Sequence, residues 1–320
     1  MFPRDFEVDA DAWPPLRTRV EAETLGGYSK YRKTLTPRFE TVWRDIALGY
    51  AVLAAIVVAV GSVGGIVASL VAATLGAVGI GTSIAYLQLF IHEAAHANLA
   101  PRRRTSDWIA NSFIAWQVGT SIAAYRAVHF DHHRHLGHAR DGERSYVHPL
   151  TPRLIVEMLT GVHAVRIFLS RAQSPQPRSA RSKLPLIRGA AIHVAILGTM
   201  LAFGAWPAVL AWGGGMTIVY PFLATLRPLL EHRPVRADAL RPAQSGAVTR
   251  LFADGPLAKI FGGAGFSRHL LHHWEPQVSY TRLAELDAYL ARTSLAPILD
   301  ARRTTYVQAF RDILANDRGR

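Results

Sequence analysis

Histidine is the residue through which this sequence can do chemistry. Fourteen occur in 320 residues, and most fall in short clusters. "HEAAH" sets His92 and His96 one helical turn apart with Glu93 beside the first. "HFDHHRHLGH" holds His129, His132, His133, His135 and His138. "LLEHRP" contributes His232, and "RHLLHHWEP" contributes His269, His272 and His273. Positions i, i+3 and i+4 share one helix face. His129/His132/His133 and His269/His272/His273 therefore each aim three imidazoles in one direction. Imidazole ligates iron, zinc, copper or nickel, so the residue type predicts a transition-metal site without naming the metal.

Alone, His92-Glu93-x-x-His96 matches the zinc-peptidase motif, two ligands and a general base on one helix. An intramembrane peptidase would need a third ligand, typically an aspartate in a later span, and 189–226 contains no acid. That reading also leaves seven clustered histidines idle. Nine positions fit ligand spacing: His92, His96, His129, His132, His133, His232, His269, His272 and His273. One zinc takes three or four ligands, so nine suit two metals with four or five imidazoles each. With no cysteine in the chain and a membrane setting, iron is the best match. The absence of cysteine also excludes disulfides, zinc ribbons and thiolate-ligated clusters within this chain. A metal transporter would place its ligands inside the spans, whereas these clusters lie at or beyond span ends.

Two long apolar runs must position the clusters. Residues 46–91 and 189–226 contain no Asp, Glu, Lys or Arg, and His193 is the one histidine in the two runs. A crossing helix needs ~20 apolar residues, so each run is long enough for two. The predicted fold is an all-α integral membrane protein with four transmembrane helices in two hairpins, at about 46–68, 70–91, 189–211 and 214–230. Gly61–Gly65 and Gly213–Gly215 are the predicted turns. A soluble helical protein is disfavoured because buried helices rarely run this long without a charge.

Residues 1–45 read as an N-terminal arm in which Pro14-Pro15 and Gly26-Gly27 interrupt any helix. Residues 46–320 form the membrane domain, with a helical cap from 92–188 and 231–320 carrying the histidine clusters. Trp108–Tyr125 reads as an interfacial or re-entrant helix, 171–183 as a flexible Ser/Pro/Arg-rich piece, and 281–294 as a surface helix. Lys and Arg outnumber Asp and Glu by eleven to four between Arg126 and Arg188, while both hairpin tips are uncharged. The positive-inside rule then puts both termini and the cap in the cytoplasm of an inner-membrane protein. The formal net charge of +13 fits an anionic lipid face or an acidic protein partner better than nucleic acid.

Taken together, the three boxes, the Glu-His pair before the last one and the paired hairpins resemble the membrane-bound fatty acid desaturase superfamily, from about Asp45 to about Asp287. The resemblance implies a di-iron centre that activates dioxygen and removes hydrogen from an unactivated C–H bond. It makes the nine histidines the iron ligands, with Glu93, Asp131, His135 and His138 as supporting groups around them. The implied activity is desaturation of an acyl chain on a lipid, coenzyme A or carrier protein. Hydroxylation of an aliphatic substrate is the alternative. The chain holds no flavin, nicotinamide or cytochrome signature, so electrons must come from a ferredoxin or similar donor with its reductase. Two stretches depart from the family pattern: "HLGHARDGERSY" after the second box and "HHWEPQVSYTRL" in and after the last.

Overall fold

The computed structural model describes residues 13–138, 141, 143–173, 182–233, 240–241, 244–245 and 249–317. Most of the piece expected to be flexible, 171–183, lies outside them. The described chain is helical, apart from two-residue pairings such as Leu251–Phe252 with Arg303–Thr304. In order the helices are α1 (Trp13–Glu23), α2 (Gly27–Thr34), α3 (Phe39–Gly61), α4 (Ile66–Ala95), α5 (Arg103–Ile109), α6 (Ile122–His135), α7 (Pro152–Leu159), α8 (Val162–Gln173), α9 (Leu184–Ala202), α10 (Trp206–Gly214), α11 (Tyr220–His232), α12 (Pro256–Ile260), α13 (His269–Trp274), α14 (Tyr280–Leu290), α15 (Ala296–Arg302) and α16 (Tyr306–Asp317).

Four helical runs are long and apolar enough to cross a membrane: Phe39–Gly61, Ile66–Ala95, Leu184–Ala202 and Trp206–His232. Val58, Ile66, Leu75, Val194 and Leu201 stand exposed on them. Exposed apolar surface of this extent suits lipid rather than water. The chain is a membrane protein.

The first turn is at Gly61–Gly65, where Gly65 takes φ 78°. The second is not at Gly213–Gly215. It is at Phe203–Ala205, where Gly204 takes φ 71°, so the third span runs 184–202 and the fourth 206–232 rather than 189–211 and 214–230. The three glycines lie inside the fourth run, where they let another helix approach. A side chain on Gly81 of α4 would sit 2.8 Å from the Gly215 carbonyl and 2.5 Å from Val219. One on Gly214 would meet Ala77 at 3.1 Å. Small residues lining a close helix contact are the usual means of association in lipid. Between α10 and α11, Gly215–Val219 widens to a π-turn. Pro221 explains it, having no N–H to donate and a ring that crowds the carbonyl four residues back.

Two compact units emerge, each discontinuous in sequence: Met1–Phe39, Phe130–Thr151 and Arg227–Arg320 in one, Glu40–His129 and Pro152–Leu226 in the other. Residues 92–129 and 152–188, assigned above to a cap, thus group with the spanning helices. The 103–119 segment is bound there through its backbone. Gln88 Nε2 donates to the Ile114 carbonyl at 2.9 Å, and His193 Nε2 to the Gln117 carbonyl at 3.0 Å. Trp212 Nε1 donates to His193 Nδ1 at 3.1 Å, so the lone histidine of the third span is satisfied by its neighbours. The segment is α5, a π-turn and a 3₁₀ turn ending at Gly119, φ 63°, and none of these is long enough to cross a bilayer.

The first unit buries Val20, Tyr28, Leu270, Leu271, Trp274, Leu283, Leu286 and Leu299 in one core. Pro14-Pro15 do not interrupt the arm; they occupy the first turn of α1, where a missing N–H loses nothing. Gly26, φ 80°, does end it. Trp13 stacks on Trp274 with ring centroids 4.7 Å apart. Tyr28 donates to Glu275 Oε1 at 3.0 Å, and Arg32 pairs with Oε2. The unusual Trp274-Glu275 after the last histidine box is therefore where the N-terminal arm attaches. Helix α14 overlaps the expected 281–294 surface helix, but buries Leu283, Leu286 and Leu290.

Candidate metal centre

In the second unit the first box ends a spanning helix. His92 is in the last turn of α4, and His96 is its C-cap residue. Ala97 follows with φ 62° and ends the helix abruptly. The last α4 carbonyls also accept from Arg126, whose Nε donates to Ala95 at 2.8 Å and Nη2 to Ala94 at 2.9 Å. Asp107 holds the guanidinium from the other side. A buried cation at a helix C-terminus satisfies both the carbonyls and the dipole. His129 enters from α6 with its Nε2 3.0 Å from that of His96. The rings of His92 and His129 are 4.5 Å apart, and all three histidines are at most 6% exposed.

In the first unit His132, His232, His269 and His273 converge, with ligand nitrogens all within 4.8 Å of one another. The Nε2 atoms of His232 and His269 are 2.9 Å apart, and those of His269 and His273 are 3.2 Å apart. His133 and His272 of the same unit face each other with Nε2 atoms 3.0 Å apart. His232 sits at the C-terminus of α11, and Arg250 caps that end: Nη1 donates to the Leu230 carbonyl at 2.8 Å, and Nη2 to Arg233. The backbone carbonyl of Arg250 accepts from Leu270 N at 3.1 Å. One buried residue thus ties the helix of His232 to that of His269. Burial lowers the Arg250 pKa to about 10, aided by nearby Arg302, which leaves it charged at neutral pH.

The donor set suits a metal. Two nitrogens bound side by side to a metal at roughly 2.1 Å lie roughly 3 Å apart, matching the 2.9–3.2 Å separations. Desolvation, then the surrounding imidazoles, hold His273 well below the usual histidine pKa. Desolvation, then His129 and Arg126, do the same for His96. Both are neutral, the form that donates to a metal.

Of the supporting residues expected from sequence, Glu93 is buried with Oε1 3.9 Å from His92 Nδ1. Asp131 pairs with His135 at 2.9 Å, one helical turn away, a histidine outside the nine candidate ligands. His138 is exposed. At hydrogen-bond distance of a candidate ligand stands Asp141, whose oxygens lie 2.9 and 3.0 Å from His132 Nδ1. Sequence reasoning missed it, as it missed Arg126 and Arg250. Each sits outside the histidine periodicity, and none has a spacing that marks it.

The fatty acid desaturase family model matches residues 67–304, a range that holds all nine histidines. No curated protein matches the chain. Family and histidine clusters together fit a metal-dependent desaturase or hydroxylase, an oxidoreductase. The chain belongs to the fatty acid desaturase family.

Proposed function

We propose that the protein is an oxygen-dependent di-iron desaturase that introduces a double bond into an acyl chain carried by a lipid, coenzyme A or a carrier protein. The observation that carries this reading is the set of four buried, converging imidazoles in the first unit within a chain of the desaturase family. Those four hold one iron in the proposal; the family resemblance gives a second iron to the boxed histidines that remain. Bound iron would supply dioxygen activation and hydrogen removal from carbon. The protein's own part is to hold neutral imidazoles in fixed orientation and keep bulk water away.

Both termini and the metal centre face the cytoplasm of an inner membrane in this reading. Electrons come from a ferredoxin or similar acidic donor, steered by the net charge of +13. The test is metal content of the detergent-purified protein beside His272→Ala, followed by lipid analysis of cells with and without the active protein. Close to two irons per chain, reduced by the single substitution, with a new alkene in the acyl pool, supports the proposal. An alcohol product redirects it to hydroxylation. A single zinc, unaffected by His272→Ala and lost with His96→Ala, overturns it.

A further inference from the structure

Asp141 lies in the stretch after the second box that departs from the family pattern, and it is the most completely engaged acid beside the four-histidine set. Its side chain is fully buried. Both oxygens face His132 Nδ1, at 2.9 and 3.0 Å. Tyr146, 1% exposed, donates its hydroxyl to Asp141 Oδ2 at 2.5 Å and accepts the Gly137 N–H at 2.7 Å. The Glu143 N–H donates to Oδ1 at 2.8 Å. Among the described residues no lysine or arginine pairs with this carboxylate. The Tyr146 hydroxyl and the Glu143 N–H are neutral donors, so the charge of the carboxylate is left to act on the imidazole.

We propose that Asp141, locked by Tyr146, is a positioning residue that fixes His132 as the Nδ1-protonated tautomer and strengthens its Nε2 as a metal donor. This rests on the reading that the four-histidine set binds a metal. A carboxylate on the far nitrogen orients the ring, selects the tautomer and raises ligand basicity. It also places a negative charge one imidazole away from a cation that four neutral ligands leave uncompensated in a buried site. Tyr146 fills two needs: it keeps the carboxylate from rotating and ties Asp141 to the backbone of Gly137.

The probe is cobalt(II) titrated into the apo, full-length protein in detergent, followed by visible absorption. The wild type is expected to bind at two sites. Asp141→Asn should weaken one of them by about 10–100-fold and shift its absorption bands, leaving the other unchanged. Asp141→Glu should restore part of the loss, and Tyr146→Phe should weaken the same site to a smaller degree. Apo-protein thermal unfolding separates lost folding from lost binding. If Asp141→Asn does not fold, Tyr146→Phe carries the test, because it leaves the carboxylate and His132 in place. A wild type that binds no cobalt sinks the underlying metal reading. A wild type that binds two, with affinities and spectra unmoved by Asp141→Asn, or by Tyr146→Phe where the first variant is unfolded, overturns the role of Asp141 alone.

Discussion

The junction between the N-terminal arm and the last histidine box can be tested by a double-mutant cycle on Tyr28 and Glu275. Glu275 is 2% exposed and accepts a 3.0 Å hydrogen bond from the fully buried Tyr28 hydroxyl. A hydrogen bond to a charged group contributes about 1.5–3 kcal/mol. Tyr28→Phe should therefore cost about 2 kcal/mol. Glu275→Ala loses the same bond and strands the hydroxyl. It also releases Arg32, but that side chain is 28% exposed and rehydrates, so its ion pair adds no more than about 1 kcal/mol. The expected cost is about 3 kcal/mol. Once either partner is gone the other has little left to lose, so the double variant should also cost about 3 kcal/mol. That leaves a coupling energy of about 2 kcal/mol, well above the ~0.5 kcal/mol scatter of independent sites. Thermal unfolding of the apo protein in detergent reads it, at about 2–4 °C per kcal/mol. Costs that simply add would refute the arm as a clasp on the last box.

Three further outcomes follow from features of the two units. Arg250→Leu should destabilise by about 2–4 kcal/mol, since it removes the buried guanidinium that donates to both the Leu230 and Arg233 carbonyls; thermal unfolding measures it, and a neutral result denies the cap. Gly81→Val should abolish the monodisperse folded species in detergent, because its side chain would meet backbone at 2.8 Å. A normal size-exclusion profile would contradict the close helix contact. Apo-protein stability should fall as pH drops below about 6.5. His96 and His273 have folded pKa values depressed below the unfolded one, so the unfolded chain takes up protons first, and each histidine withdraws up to about 1.4 kcal/mol per pH unit. Unfolding temperatures that stay level from pH 7 to pH 5 would contradict the burial of these imidazoles.

Sequence spacing made the histidine boxes and four spans legible, because helical periodicity and the absence of charge are local properties. It failed where one residue type serves two ends. Glycines make turns at Gly65 and Gly204 but a close helix contact at Gly81 and Gly215, and composition cannot tell these apart. Pro14-Pro15 read as helix breakers, yet the same residues open α1. Asp131, inside the second box, looked like the carboxylate for a clustered histidine. Helical geometry turned it to His135, while the loop brought Asp141 to His132. Arg126 and Arg250 act on carbonyls that the sequence does not mark as needing donors.

The arm also orders events in time. Tyr28 and Glu275 are 247 positions apart, and at ~5–20 residues per second of synthesis the first waits roughly 10–50 seconds for the second. During that interval the aromatic face of α1 and α2 has no Trp274 to cover it, and His269 and His273 do not yet exist. The four-histidine set is thus completed only after the last spanning run, which ends at His232, has been synthesised. In the proposed reading metal would enter it as a late step of biogenesis, on a chain whose membrane helices have already been made.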